Sequence, residues 1–70
     1  MKLSARNQLP GKVVSVKLGA VMAEVVVELD GGQRITSAIT AGSVAALGLA
    51  EGTRVYAVVK ATEVMLGVDE

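Results

Sequence analysis

From Ala20 to Asp30 every odd position is apolar (Val21, Ala23, Val25, Val27, Leu29), while the even positions include Glu24, Glu28 and Asp30. A period of two sends successive side chains to opposite faces of a strand, so this segment reads as a strand with one buried face. The same period marks Lys12 to Leu18, with Val14, Val16 and Leu18 expected inward and Val13, Ser15 and Lys17 outward. It returns in Gln33 to Ile39 through Ile35, Ser37 and Ile39, and in Thr53 to Lys60 through Val55, Ala57 and Val59. A short run from Val64 to Val68 reads as a fifth strand. Asp30-Gly31-Gly32 accepts positive φ and predicts a tight hairpin between the second and third strands.

One segment breaks the alternation, Thr40 to Leu49. Thr40 can cap a helix start with its hydroxyl, Gly48 can take the left-handed position after the last turn, and Leu49 would then fold back on Val44. The spacing predicts a helix of about two turns. Five short strands with one short helix between the third and fourth predict an all-β fold, a small OB-like antiparallel barrel forming a single domain over residues 1–70.

The chain must fill that barrel with small aliphatic side chains, because its 70 residues include no Trp, Phe, Cys or His and one Tyr. Domains this small usually draw extra support from disulfides, a metal or a partner subunit. Without Cys or His the first two lose their usual ligands, and thiol nucleophiles and His bases go with them. Association between copies is the expected support, and the apolar residues expected on outward faces, Val13, Met22, Val26, Tyr56 and Val58, provide surface for it.

Seven Lys plus Arg balance seven Asp plus Glu, so no net field draws the chain to nucleic acid or an anionic membrane. An OB-type nucleic-acid binder would use aromatic platforms and a basic groove, which one Tyr and zero net charge do not supply. No apolar run approaches the ~20 residues of a membrane helix, and the start MKLSARNQLPGK has no signal-peptide core. The expectation is a soluble cytoplasmic protein with neither nucleic-acid nor membrane partners. Glu24, Glu28 and Asp30 fall on a solvated strand face, and Glu51, Asp69 and Glu70 in turns or the tail, which argues against acid–base catalysis and against an enzyme. The alternatives to a small-anion binder are an OB-fold nucleic-acid module and a purely structural oligomeric subunit.

The polar and cationic residues point to an anion. Arg6 lies in Ser4-Ala5-Arg6-Asn7-Gln8, a polar stretch ahead of Pro10-Gly11, and Lys60 ends the fourth strand before Ala61 and Thr62. Thr40, Gly42 and Ser43 stand at the helix start, where free backbone N–H groups favour negative charge. Each has a plain alternative role, as a loop Arg, a strand-end Lys and a capping Thr.

These residues resemble the molybdate-binding Mop domain of molbindins and the related TOBE modules. The likeness rests on Ser4 to Gln8 followed by Gly11-Lys12-Val13, on Ala20 with Ala23-Glu24-Val25, on Ile39-Thr40 with Ser43 and Leu47-Gly48-Leu49, and on Val58-Val59-Lys60-Ala61-Thr62 before Val64-Met65. The resemblance implies an OB-like barrel whose strands or tails are shared between subunits, a hexamer built of dimers, and binding and storage of molybdate or tungstate at subunit interfaces. It further implies that Ser4, Arg6, Lys60 and Ala61 of one subunit meet Thr40 and Ser43 of another around the oxyanion, with Gly42 and Thr62 as weaker contributors. Thr62 stands where related sequences often have Ser. No cofactor and no directly ligated metal cation are implied.

Overall fold

A computed structural model describes residues 1–69; Glu70, expected in the tail, lies outside them. Four strands form one antiparallel sheet: β1 (Asn7–Leu18), β2 (Met22–Leu29), β3 (Arg34–Thr40) and β4 (Arg54–Val59), in the order β3-β2-β1-β4. A helix α1 (Ala41–Leu47) joins β3 to β4, and a 3-10 turn (Ala61–Glu63) follows β4. The sheet curls around Val13, Ala23, Val25, Val27 and Val44, with Ile35, Ile39, Leu49 and Val55 packed against them. This is the OB-like arrangement with its helix in the expected place, lacking one strand.

The missing strand is Val64–Val68. After the 3-10 turn the chain leaves the sheet, and Met65, Leu66 and Val68 are more than nine-tenths exposed. An alternating sequence becomes a strand only when a neighbouring edge pairs its N–H and C=O groups, and among the described residues no strand pairs with the tail. The barrel consequently stays open between β3 and β4. An apolar cavity of about 390 Å³ runs along that seam, lined on one side by Ile35 and Ile39 and on the other by Val55 and Val59.

β1 begins earlier than its alternation indicates, because Asn7 to Lys12 pair with β4 while Gly11 to Leu18 pair with β2. The polar stretch Asn7-Gln8 is therefore strand rather than loop, and Pro10 is tolerated since it lies where β1 has a ladder partner on the β4 side alone. At Gly11, where the two ladders overlap, a Cβ would meet the carbonyl oxygen of Glu28, with Val27 Cγ1 at 2.9 Å and Leu29 Cα at 3.0 Å. Only a residue without a side chain lets β1 cross β2 this closely.

A β-bulge between Val13 and Ser15 reverses the facing of β1. Gly11 and Val13 point inward before it and Val16 after it, with Val14 as the extra residue. Val13, expected outward, is accordingly among the most buried residues at 1% exposure. Leu18 and Val21, expected inward, are exposed because the sheet has curled away at the β1–β2 turn. Met22, Tyr56 and Val58 are exposed as expected.

The β2–β3 hairpin closes through Leu29 N–H to the Gln33 carbonyl at 2.7 Å and Gly32 N–H to the Leu29 carbonyl at 2.8 Å, with Gly32 at φ +96°. Its first loop residue, Asp30, is tied down twice. Asp30 N–H donates to the Pro10 carbonyl at 3.1 Å, and Arg54 donates from both terminal nitrogens to the two carboxylate oxygens at 2.9 and 3.1 Å. Those Arg54 hydrogen bonds hold the Asp30 carboxyl below its ordinary range, desolvation opposing and the Arg54 charge assisting. A lowered folded pKa contributes stability that is present above the unfolded carboxyl pKa and is lost as pH falls through the folded value. An NMR titration is expected to show Asp30 titrating below the ordinary carboxylate range, and Arg54→Gln to return it toward that range; an Asp30 curve unmoved in that variant would contradict the role of Arg54.

At the other end of β3, Thr40 caps α1 as the spacing predicts: its Oγ1 accepts from Ser43 N–H at 3.0 Å. Gly48 takes the left-handed position at φ +63°, and Leu49 N–H returns to the Val44 carbonyl at 3.0 Å. No helix of the described residues is long and apolar enough to cross a membrane.

Candidate oxyanion site

The residues singled out from the sequence fall into two groups. Ser4 and Arg6 precede β1, and Lys60, Ala61 and Thr62 follow β4; because Asn7 pairs with Val59, both segments leave the same end of the sheet. All five are exposed. Gln8 Nε2 donates to the Ala5 carbonyl at 2.7 Å and folds the Ser4–Arg6 segment back on the strand start. That positioning role of Gln8 was not read from the sequence, although an amide three residues after a carbonyl in a polar stretch is its signal. The two ion pairs among the described residues engage Arg34 with Glu28 and Arg54 with Asp30, so the charges of Arg6 and Lys60 are uncommitted to carboxylates there. Glu63, in the 3-10 turn, is the acidic residue nearest in sequence to Lys60.

Thr40, Gly42 and Ser43 form the second group, at the junction of β3 and α1. The Ala41 N–H is used by the Val21 carbonyl at 2.8 Å and the Ser43 N–H by the Thr40 hydroxyl, whereas Gly42 N–H lies in the first turn with no intrahelical acceptor. Thr40 Oγ1 and Ser43 Oγ are 2.8 Å apart and share one hydrogen bond. Two hydroxyls carry two protons, and this contact consumes one of them. Whichever hydroxyl donates inward, the other keeps a proton to donate outward. The first turn of α1 holds no acidic residue, so nothing there opposes an anion.

Topology keeps the groups apart within one chain. Thr40 pairs with Met22, next to Ala23, which pairs with Leu18 at the C-terminal end of β1; Arg6 and Lys60 flank the N-terminal end. The 12 residues of β1 lie between them, a path of roughly 35 to 40 Å along a strand. The chain thus presents two incomplete clusters of donors, one cationic and one of hydroxyls and backbone N–H. Among the described residues no group of three or more His, Cys, Asp or Glu is placed to hold a metal cation.

Comparison with known proteins gives the context of these clusters. The TOBE domain family matches residues 3–66. Molybdenum-pterin-binding protein 3 of Clostridium pasteurianum is 56% identical over 66 residues, covering 94% of this chain and 97% of the relative. Among solved structures, MopII from Clostridium pasteurianum superposes with a TM-score of 0.91 at 55% identity, covering 96% of this chain and all of MopII. The cytoplasmic molybdate-binding protein ModG, in a form with molybdate bound, superposes with a TM-score of 0.93 at 51% identity; 99% of this chain is covered and 49% of ModG.

Proposed function

This chain belongs to the TOBE domain family, among its molybdenum-pterin-binding relatives, and on that premise we propose that it binds molybdate, or the nearly isosteric tungstate, between copies of itself. The observation that carries the reading is the separation of the two donor clusters along β1, which leaves each half of the site in need of another copy. Arg6, Lys60, Ser4 and the backbone at Ala61, with Thr62 at their margin, supply charge and donors from one subunit. Thr40, Ser43 and the Gly42 N–H supply donors from the next. Molybdate is a tetrahedral dianion with four acceptor oxygens, and a lining built of donors matches it. Phosphate near neutral pH carries an O–H that needs an acceptor, which these two clusters do not offer in carboxylate form.

The same reading accounts for the open barrel. An exposed apolar tail, an unfilled seam and two unpaired edge strands, with five buried apolar residues among those described, support assembly in which neighbouring copies cover one another's edges. A hexamer built of dimers is the assembly we favour, with retention and supply of the oxyanion, not catalysis, as its role. The description of ModG as cytoplasmic supports a cytoplasmic setting.

Calorimetric titration together with light scattering tests the proposal. Molybdate and tungstate are expected to give saturable binding to an oligomer, and a folded monomer that binds molybdate with full affinity would exclude a site between subunits. Ser43→Ala separates capping from binding. The cap hydroxyl belongs to Thr40, so thermal stability without anion is expected to stay close to that of the parent, while molybdate affinity falls by about 1 to 3 kcal/mol, as for a lost hydrogen bond to a charged group. An unchanged anion-induced rise in melting temperature would remove α1 from the site.

A further inference from the structure

The β2–β3 loop carries an Asp-Gly pair whose carboxylate is gripped by an arginine from a strand two positions away in the sheet. Asp30 is followed by Gly31, the side chain of Asp30 is about half exposed, and Arg54 on β4 holds both of its oxygens. Gly31 is exposed and has no positive φ, and it offers no Cβ to shield its own nitrogen. We propose that Asp30-Gly31 is a site of spontaneous isoaspartate formation and that the two-pronged Arg54 contact is what restrains it.

The chemistry needs water and protons alone. The backbone nitrogen of Gly31 attacks Cγ of Asp30, a new N–C bond forms, the C–O bond to one carboxylate oxygen breaks, and that oxygen leaves as water after taking the amide proton and one proton from solvent. The product is a five-membered succinimide. Water then adds back. Opening at Cγ restores aspartate, whereas opening at the main-chain carbonyl carbon routes the peptide through the side chain as isoaspartate. The water lost equals the water gained, so the mass is unchanged and nothing is oxidised or reduced.

Arg54 opposes the first step in two ways. It favours the ionised carboxylate, from which an oxygen leaves poorly, consistent with the lowered Asp30 pKa. It also points both oxygens toward β4, so rotation of Cγ toward the Gly31 nitrogen breaks two charge-assisted bonds. Isomerisation has a structural consequence, since it inserts one main-chain atom between Leu29 and Gln33, whose pairing closes the hairpin, and it displaces the N–H that Asp30 donates to Pro10. The end of the barrel where β2, β1 and β4 are joined through Asp30 would loosen with protein age.

The test is to age the folded parent and Arg54→Gln at neutral pH and map isoaspartate by mass spectrometry with electron-transfer fragmentation. Isoaspartate is expected at residue 30, accumulating severalfold faster in Arg54→Gln. Equal rates in the two folded proteins, or isoaspartate confined to other positions, would overturn the proposal. Arg54→Lys, which keeps the charge but not the fork, is the variant for use if Arg54→Gln does not fold, and the same acceleration is expected of it in lesser degree. Adding Gly31→Val to either variant supplies a check on mechanism. A Cβ at Gly31 meets chiefly the flexible Gln33 side chain, at 2.7 Å from Oε1, so the loop can accept it. The added bulk beside the attacking nitrogen is expected to return the rate toward that of the parent, and a rate indifferent to it would exclude attack by Gly31.

Discussion

Lys60→Ala is expected to weaken molybdate binding by about 2 to 5 kcal/mol, the usual cost of removing one partner of a buried, hydrogen-bonded charge contact, or roughly 30-fold to a few thousandfold in Kd. Lys60 is exposed in the single chain and outside both ion pairs of the described residues, so among those residues its removal strands no carboxylate and little folding energy is at stake. The measurement is calorimetry on the folded variant, and unchanged affinity would remove the β4 end from the site. A mixing experiment sharpens the result. If the cationic cluster of one copy meets the hydroxyl cluster of another, oligomers reassembled from Lys60→Ala and Ser43→Ala subunits contain some interfaces with both halves intact. A fraction of parent-affinity sites is then expected in the mixture and in neither variant alone. Absence of recovery from subunits proven to exchange would mean that both clusters belong to one chain's site, against the topology of β1.

Gly11→Ala is expected to be the most destabilising methyl addition in the chain, at roughly 3 kcal/mol, the upper end of ordinary overpacking costs. The atoms that the new Cβ meets include main-chain atoms of Glu28 and Leu29, which cannot rotate aside as a side-chain end would. Relief requires parting β1 from β2, which weakens the ladder that surrounds Val13, Val25 and Val27. Thermal unfolding should show a midpoint lowered by about 12 to 24 °C, given ~4 to 8 °C per kcal/mol for a domain of this size. Gly42→Ala is the control: a Cβ there comes no nearer than 3.9 Å to Thr40 Oγ1, and alanine favours a helix. A Gly11→Ala midpoint equal to that of Gly42→Ala would show that the strands separate at no cost.

What was legible in the sequence was local. The period of two located β2, β3 and β4, because strand pleat alone places alternate residues on opposite faces. Thr40, Gly48 and Leu49 marked the ends of α1, because a helix terminus must satisfy its own backbone groups with the nearest side chains and residues. The donor residues themselves were also visible, since a hydroxyl, a guanidinium or an ammonium declares its chemistry by type. Everything that depended on a partner strand was hidden. Val13 and Val14 are equally apolar, and the bulge that buries the first and displaces the second exists only in the register of β1 on β2. Asn7 and Gln8 look like loop until β4 supplies an edge for them, and Val64 to Val68 looks like strand although no edge receives it. Arg54 and Asp30, 24 residues apart in the chain, meet because β2 and β4 both flank β1. Sequence by itself determined the elements, their termini and the kinds of group available to an anion, since those follow from backbone geometry and side-chain chemistry within a few residues. Tertiary structure alone decided which residues of β1 face inward on either side of its bulge and that the two donor clusters stand at opposite ends of β1, since pairing register is a property of two strands together and is written in neither.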